Sequence, residues 1–244
     1  MRGGAGVVVT AVRNAVAIAI PGFLTQNPFG QLLIARGDGK SSADKTAAGL
    51  DRNTGSGFPE NGIEIGLAPF ILQKGSPSPA HLLGHIARAS PLARSLATGI
   101  EASVFFLGPH AYVSPNNYLS TGLVPTWNYQ AVLAEGALSV IHDHDQLREI
   151  LDRTTQLLEG DSIDAWRPDW SEPAMENLLS SIVGIDLEVR RWSGKEKLSQ
   201  NRSDDDYNRL RKNFANSSDG QARSLAAAMP ERTAPSQPGR PRRS

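Results

Sequence analysis

The chain has 244 residues, in which 25 lysine and arginine residues balance 25 aspartate and glutamate residues. This length predicts one domain of about 200 residues with tails. The balanced charge excludes the overall positive field that drives binding to nucleic acid. Because there is no cysteine, disulfides, zinc–thiolate sites and iron–sulfur clusters are excluded, and a cytoplasmic location is expected. No apolar run reaches the roughly 20 residues that span a bilayer, so no membrane contact is expected.

The first part of the chain predicts two strands and two segments outside the core. Residues 1–26 are expected to be a divergent N-terminal segment, and Arg13 interrupts the apolar run that a targeting peptide needs. Residues 29–35 and 63–72 have strand character. Between them, residues 37–62 are rich in Gly, Ser, Asp, Lys and Asn, which predicts an exposed insertion.

The middle of the chain predicts further strands and one short helix. Residues 81–87 and 102–107 alternate as strands do, and residues 129–141 predict a long strand. Ser90 and Pro91 have the residue types of a helix N-cap and first helical position.

The C-terminal part predicts helices, one more strand and a tail. An amphipathic helix is expected from about Asp143, a second helix over 171–182 and a strand over 184–192. The composition of 215–244 predicts disorder. Strands that come first and helices that come late indicate an α+β fold with an antiparallel sheet. Six such strands would close into a small Greek-key barrel.

Two aromatic segments, 108–118 and 124–129, are the most informative part of the sequence. They are predicted to be loops, yet they carry one His, three Tyr and one Trp, which are costly to leave in water. We expect them to fold over the protein's own surface or over a flat ligand. The candidate ligand-lining residues are His110, Tyr112, Ser114, Trp127 and Asn128. Alternatively, His110, Tyr112, Ser114 and Tyr118 anchor their own loop by hydrogen bonds, and Trp127 anchors a dimer interface.

Four other residues are candidates for cofactor binding. The neutral imidazole of His85 suits a haem iron, unless this residue is a strand histidine bonded to a backbone carbonyl. Arg88 and Ser90 have the donors for a phosphate or carboxylate, unless Arg88 is an ordinary surface residue. Lys197 is a further candidate anion contact, and the alternative is a solvated turn.

The two aromatic segments and four others in the same order resemble the PaiB-like family of the FMN-binding split-barrel superfamily. The other four are Asn27–Phe29, Leu83–Pro91, Ile182–Ile185 and Lys195–Arg202. The resemblance covers roughly residues 27–214. It implies a split-barrel domain with flanking helices, a homodimer that binds FMN at the seam between the copies, and a negative regulator of transcription. No DNA-binding motif is recognisable in the sequence, so direct DNA binding is not expected.

The resemblance also implies an alternative function. Some relatives resemble haem-dependent piperazate synthases, which implies a haem- or flavin-dependent redox enzyme acting on a small amine-bearing substrate, with His85 as the iron ligand. The family typically has a histidine where this chain has Leu67, before Ala68 and Pro69. Any role of that histidine in binding a cofactor or substrate would then be lost, and a relative without a cofactor is the third interpretation.

Overall fold

The computed structural model describes residues 18–35, 62–73 and 80–232. The predicted insertion therefore lies outside the described residues except for its last residue. Residues 1–17 of the predicted N-terminal segment and residues 233–244 of the predicted tail also lie outside them.

Six strands form a closed barrel. They are β1 (Phe29–Ala35), β2 (Ile63–Leu72), β3 (Ala80–Ala87), β4 (Ile100–Val113), β5 (Thr126–Ile141) and β6 (Ile182–Lys197). Around the barrel their order is β1, β2, β3, β6, β5, β4. β1 pairs antiparallel with β2 and β4, and β3 pairs antiparallel with β2 and β6. The α+β split-barrel fold expected from the sequence is confirmed.

Six helices accompany the strands. Among the described residues they are α1 (Ile20–Gln26), α2 (Pro91–Ser95), α3 (His144–Glu159), α4 (Pro173–Leu179), α5 (Asp204–Ala215) and α6 (Gly220–Ala228), and a 3-10 turn lies at Pro115–Asn117. Within the described ranges, no helix has the length and apolar character needed to cross a membrane.

The chain divides into two compact units. The barrel unit consists of the residues up to 106 together with 132–194, and the C-terminal unit consists of 107–131 together with the residues from 195 onward. β4, β5 and β6 each continue from one unit into the other.

Alternate residues of the strands build the core of the barrel unit. Leu32, Val104 and Phe106 are fully buried, and the rings of Phe70 and Phe106 pack edge to face with their centroids 6.1 Å apart. Phe23 and Leu24 of α1 belong to the same core. Part of segment 1–26 is therefore integrated into the domain, because burying the apolar face of α1 in the core is more favourable than leaving it in contact with water.

Gly136 allows β5 to approach β6 closely. A Cβ atom at this position would lie 1.9 Å from the backbone carbonyl oxygen of Glu188. Only glycine leaves room for this contact, because a backbone oxygen cannot move aside as a flexible side chain can.

α5 and α6 build the core of the C-terminal unit. Leu210 of α5 and Leu225 of α6 are fully buried, and Met229 after α6 is also buried. Asp219 caps α6 by accepting a hydrogen bond from the backbone N–H of Gln221 at 2.9 Å. The prediction of disorder over 215–244 is therefore wrong for Gly220–Ala228, because a few apolar residues at helical spacing bury against α5 despite the small-residue composition.

Arg232 anchors the end of the described chain. Its guanidinium lies 3.9 Å from the ring centroid of Tyr207. It also donates to the backbone carbonyls of Gln200 at 2.8 Å and Arg202 at 3.0 Å. A stacked and hydrogen-bonded arginine of this kind stabilises the region through both its charge and its planar shape.

The two aromatic segments lie largely on strands, so their prediction as loops is wrong in part. β4 continues through His110 to Val113, and β5 already begins at Thr126. Gly108, Pro109 and Pro125 favour a loop when the local sequence is considered alone. The strand structure depends on pairing between the neighbouring strands β4 and β5, which satisfies the backbone N–H and C=O groups and which local sequence does not show. Lys197 likewise lies at the end of β6 and not in a turn.

Candidate functional site

Trp127 lies at the centre of an exposed aromatic surface in the C-terminal unit. Its ring centroid is 6.3 Å from that of His110 and 6.1 Å from that of Tyr112, both of which lie on the neighbouring strand β4. Trp127 is 53% exposed and Tyr112 is 51% exposed. Tyr129 lies two residues after Trp127 on β5 and therefore on the same strand face. We call His110, Tyr112, Trp127 and Tyr129 the aromatic platform.

One lysine of β6 lies beside the aromatic platform, and a second lies at the end of the same strand. The Nζ atom of Lys195 is 5.8 Å from the ring centroid of Tyr129, and the Nζ atom of Lys197 contacts the hydroxyl of Thr126. Both lysines are exposed, and among the described residues neither has a carboxylate partner. An exposed aromatic surface near two lysines that lack described carboxylate partners fits a planar ligand that carries a negative group.

His110 has a fixed ring orientation. Its Nδ1 atom donates a hydrogen bond to the carbonyl oxygen of Gly108 at 3.0 Å. In the neutral ring the Nε2 atom then carries the lone pair. His110 is half-buried, so it contributes one edge of the aromatic platform and a hydrogen-bond acceptor.

Asn128 points away from the aromatic platform. It is fully buried, and the hydroxyl of Ser199 lies 3.1 Å from its Nδ2 atom and 3.2 Å from its Oδ1 atom. The phenol oxygen of Tyr118 lies 3.2 Å from the same hydroxyl. Ser199 has a φ of 60°, which is uncommon for a residue other than glycine. The side chain of Asn128 therefore serves this internal network, contrary to the ligand contact that the sequence suggested.

Ser114 serves the local backbone as well. Its hydroxyl accepts a hydrogen bond from the backbone N–H of Asn116 at 3.3 Å and caps the 3-10 turn that follows β4. This contact corresponds to the alternative in which polar residues of the segment stabilise their own loop.

Glu196 lies between the two lysines in sequence and on the opposite face of β6. The amide nitrogen of Gln130 donates to the carboxylate of Glu196 at 2.5 Å. Burial raises the pKa of Glu196, and the hydrogen bond from Gln130 partly offsets this. The sequence analysis missed Glu196, Lys195 and Tyr129. The alternation of strand residues around Trp127 and Lys197 is the signal that would have found them.

His85 lies in the barrel unit, on the outer face of β3. It is paired in register with Gly184 of β6. Its Nδ1 atom is buried and has no hydrogen-bond partner in the described structure, and the predicted bond to a backbone carbonyl is absent at this atom. Burial lowers the pKa of His85, so the imidazole is neutral at neutral pH.

Arg88 and Ser90 follow His85 at the end of β3. The Nε and Nη2 atoms of Arg88 donate to the carbonyl oxygens of Ser180 at 2.8 Å and Ile182 at 2.9 Å. Arg88 therefore joins the end of β3 to the turn before β6, and two of its three guanidinium nitrogens are engaged in these bonds. Ser90 holds the N-cap position of α2 without a side-chain capping bond.

The structure thus divides the predicted site residues into three groups. His110, Tyr112 and Trp127 belong to one exposed surface of the C-terminal unit, and Lys197 lies in the same unit at the end of β6, where it contacts Thr126. Ser114 and Asn128 stabilise the same unit from within. The remaining three, His85, Arg88 and Ser90, belong to the barrel unit.

Comparison with known proteins identifies the family. Residues 13–191 match the family model described as "Putative FMN-binding domain". The chain belongs to this family. The match begins inside the segment 1–26, in agreement with the burial of α1 in the barrel core.

Relatives of the family include a bacterial and a fungal protein. The chain is 34% identical over 154 residues to the protease synthase and sporulation protein PAI 2 of Bacillus subtilis, which covers 62% of this chain and 73% of that protein. It is 29% identical over 208 residues to an uncharacterized protein of Emericella nidulans, which covers 70% of this chain and 82% of that protein. The PaiB-like resemblance is confirmed.

A solved structure agrees with the fold. The FAD and heme binding protein from Mycobacterium smegmatis superposes with a TM-score of 0.51 at 17% sequence identity, which covers 77% of this chain and 74% of that chain. At this identity the similarity bears on the fold alone.

Proposed function

We propose that this protein binds FMN and that the aromatic platform with Lys195 and Lys197 is the binding surface. The observation that carries the proposal is that Trp127 and Tyr112 remain half exposed while Lys195 lies over Tyr129 and Lys197 ends the same strand. Neither lysine has a carboxylate partner among the described residues. Membership of a family described by FMN binding supports the choice of ligand.

The residues present fit the two chemical parts of FMN. The isoalloxazine ring is planar and stacks on the face of an aromatic side chain, which Trp127 provides, while Tyr112 lies edge to face with Trp127. A phosphate monoester carries a charge of about −1.5 to −2 near pH 7, which the ammonium groups of Lys195 and Lys197 compensate. Phosphate binding thus falls to the lysines of β6, and Arg88 keeps its role in connecting strands.

Each residue of this chain would have a separate role. Trp127 and Tyr112 orient the ring and exclude water from one of its faces, and the two lysines hold the phosphate. His110, fixed by its bond to Gly108, offers an acceptor at its Nε2 atom. When bound, FMN supplies one- and two-electron redox chemistry.

We further propose that the protein is a homodimer with the cofactor near its seam and that any effect on transcription is indirect. The balanced charge of the chain supports an indirect effect, because direct binding to DNA relies on positive charge. In a gel-shift assay we expect no salt-sensitive complex with DNA fragments. A complex that weakens steeply with salt would contradict the indirect role.

Haem binding at His85 is a second candidate function. The observation that favours it is the buried Nδ1 atom without a partner, in a ring that burial keeps neutral. A neutral imidazole with a free nitrogen fits the donor that haem iron requires. On this interpretation His85 would act as an axial ligand in a redox enzyme for a small amine-bearing substrate.

An absorbance spectrum combined with a titration tests both candidates. We expect the purified protein, after addition of FMN, to retain flavin absorbance through gel filtration and to quench flavin fluorescence. Riboflavin, which lacks the phosphate, should bind more weakly. A protein that retains no flavin at any concentration would refute FMN binding, whereas a sharp Soret band after addition of haemin would support the second candidate.

A further inference from the structure

One hydroxyl group joins the three segments that carry the proposed binding surface. The Oγ atom of Ser199 lies 3.1 Å from Nδ2 and 3.2 Å from Oδ1 of Asn128, and 3.2 Å from the phenol oxygen of Tyr118. Asn128 lies on β5, Tyr118 follows β4 and Ser199 follows β6. These are the three strands that carry the aromatic platform, Lys195 and Lys197.

The three side chains form a mutually consistent set of buried hydrogen bonds. None of the three residues is more than 5% exposed. A hydroxyl has one hydrogen and two lone pairs, so Ser199 donates to Oδ1 of Asn128 and accepts from Nδ2 of Asn128 and from the phenol of Tyr118. Loss of this hydroxyl would leave buried groups of both partners without a bond, which costs more than the loss of a hydrogen bond at the surface.

The backbone of Ser199 favours glycine, yet the chain has a serine there. Among the described residues, Ser199 is the single non-glycine residue with a positive φ. Glycine adopts this region without steric cost but has no hydroxyl. Residues held in a sparsely populated backbone conformation are common where a protein binds a ligand. The serine therefore supplies hydrogen bonds that the better-suited backbone of glycine would lack.

Local hydrogen bonds attach the turn that carries Ser199 to the end of β6. The side chain of Gln200 accepts a hydrogen bond from the backbone N–H of Leu198 at 2.8 Å. It also donates to the backbone carbonyl oxygen of Glu196 at 3.1 Å. The turn is therefore fixed to β6, and the hydroxyl of Ser199 connects it to Asn128 on β5.

We infer that Ser199 is a positioning residue whose hydroxyl holds Trp127 of β5 at a fixed separation from the lysines of β6. Asn128 is next to Trp127 in the chain, so a shift of Asn128 moves Trp127 with it. The consequence for binding rests on the proposed function, in which FMN needs its ring on Trp127 and its phosphate near Lys195 and Lys197 at the same time. Riboflavin has no phosphate and needs the ring contact alone. Ser199 thus determines the preference for FMN over riboflavin.

The affinities of Ser199 variants for FMN and riboflavin, measured by quenching of flavin fluorescence, test the inference. Ser199→Gly and Ser199→Ala should lower the affinity for FMN about tenfold and change that for riboflavin less than about twofold. Ser199→Gly removes the hydroxyl together with the unfavourable backbone conformation, so it tests positioning even if Ser199→Ala is unstable. Ser203→Ala is the matched control. The hydroxyl of Ser203 accepts a bond from the backbone N–H of Asp206 at 3.3 Å and caps α5, so its loss should lower stability and leave the preference unchanged.

Hydrogen exchange of the ligand-free protein tests the contact itself. In both Ser199 variants, the backbone amides of residues 126–130 and 195–199 should exchange about tenfold faster than in the wild type, because the ends of β5 and β6 open more often. The amides of β1, which lies in the barrel unit, should keep their wild-type rates.

Three results would overturn the inference: an unchanged preference for FMN in Ser199→Gly, an equal loss of affinity for both flavins, or unchanged exchange at the ends of β5 and β6. An equal loss would mean that Ser199 supports the fold alone. If the wild-type protein binds neither flavin, the proposed function fails, and hydrogen exchange decides whether Ser199 holds the two strand ends together. If the wild-type protein and the Ser199 variants bind FMN equally well, the proposed function stands and this inference fails.

Discussion

Tyr112 and Trp127 lie edge to face on neighbouring strands, with their ring centroids 6.1 Å apart and their planes at 69°. Each is anchored by the regular backbone of a strand, which positions side chains more accurately than a loop does. Each residue is about half exposed, although burial of large apolar side chains is what normally stabilises a folded structure.

Trp127→Ala should weaken FMN binding about tenfold or more. Stacking of a planar base on an aromatic side chain contributes about 1–3 kcal/mol, and about 1.4 kcal/mol corresponds to a factor of ten. Fluorescence titration of the variant gives the dissociation constant. Trp166→Ala is the matched control, because Trp166 is 54% exposed in the barrel unit and should leave the affinity unchanged. Equal losses in both variants would argue against the aromatic platform.

Lys195→Gln and Lys197→Gln should reduce the affinity for FMN while leaving that for riboflavin unchanged. The lysines compensate the phosphate, and riboflavin has none. The affinity of the wild-type protein for FMN should also fall with salt, and this dependence should be smaller in the variants because screening acts on charge pairs. Lys212→Gln, an exposed position on α5, provides the control. An equal loss for both ligands would show that the lysines act through the fold.

His85→Ala should abolish any Soret band that haemin produces with the wild-type protein. The matched control is His81→Ala, because the Nδ1 atom of His81 is already bonded to Asp186 at 2.8 Å. Since burial lowers the pKa of His85, coordination should persist to a lower pH than an exposed histidine would allow. A Soret band that survives in His85→Ala would exclude His85 as the axial ligand.

Gly136→Ala should destabilise the protein by about 1–3 kcal/mol, the usual cost of overpacking a well-packed interior. The added methyl group would lie 1.9 Å from the carbonyl oxygen of Glu188, so the backbone of β5 or β6 must move. Urea unfolding measures the loss. Gly22→Ala is the control, since its Cβ atom would meet nothing within 4 Å. A variant as stable as the wild type would mean that the strands separate at no cost.

Asp206→Ala should lower the free energy of unfolding by about 1–3 kcal/mol at pH 7. The carboxylate accepts hydrogen bonds from the backbone N–H groups of Leu119 at 2.6 Å and Ser120 at 3.0 Å. Bonds from Ser120 and Leu119 hold the pKa of Asp206 below its usual value. The contribution of the charged Asp206 carboxylate to the free energy of unfolding is therefore fully present above the unfolded pKa of about 4. It is lost as the pH falls through the folded pKa.

Unfolding at two pH values checks the sign of this effect. The difference in stability between the wild type and Asp206→Ala should be largest near neutral pH and should shrink in acid. Asp205→Ala, at the exposed neighbouring position, should change little at either pH. A difference that grows in acid would contradict the assignment of the lowered pKa to these hydrogen bonds.

The strands of the barrel unit could be predicted from local patterns because their alternation is strong. β1 and β2 have the predicted bounds, and β3 differs by one residue. The secondary structure of the aromatic segments was harder to predict, because glycine and proline next to polar residues favour turns locally. Their strand structure depends on pairing between β4 and β5, which local residue preferences do not contain. For the same reason, a composition typical of disorder concealed α6, whose few apolar residues gain their stability from α5.

The sequence by itself determined the family, the barrel and the presence of unusual aromatic residues, because these depend on residue order and on alternation along single strands. Only the tertiary structure decided which of those residues act together. Trp127 meets His110 and Tyr112 because β5 lies beside β4, while Asn128, one residue later, points inward to Ser199. The physical reason is that a strand alternates its faces at every residue, whereas the neighbours on each face are set by contacts between distant parts of the chain.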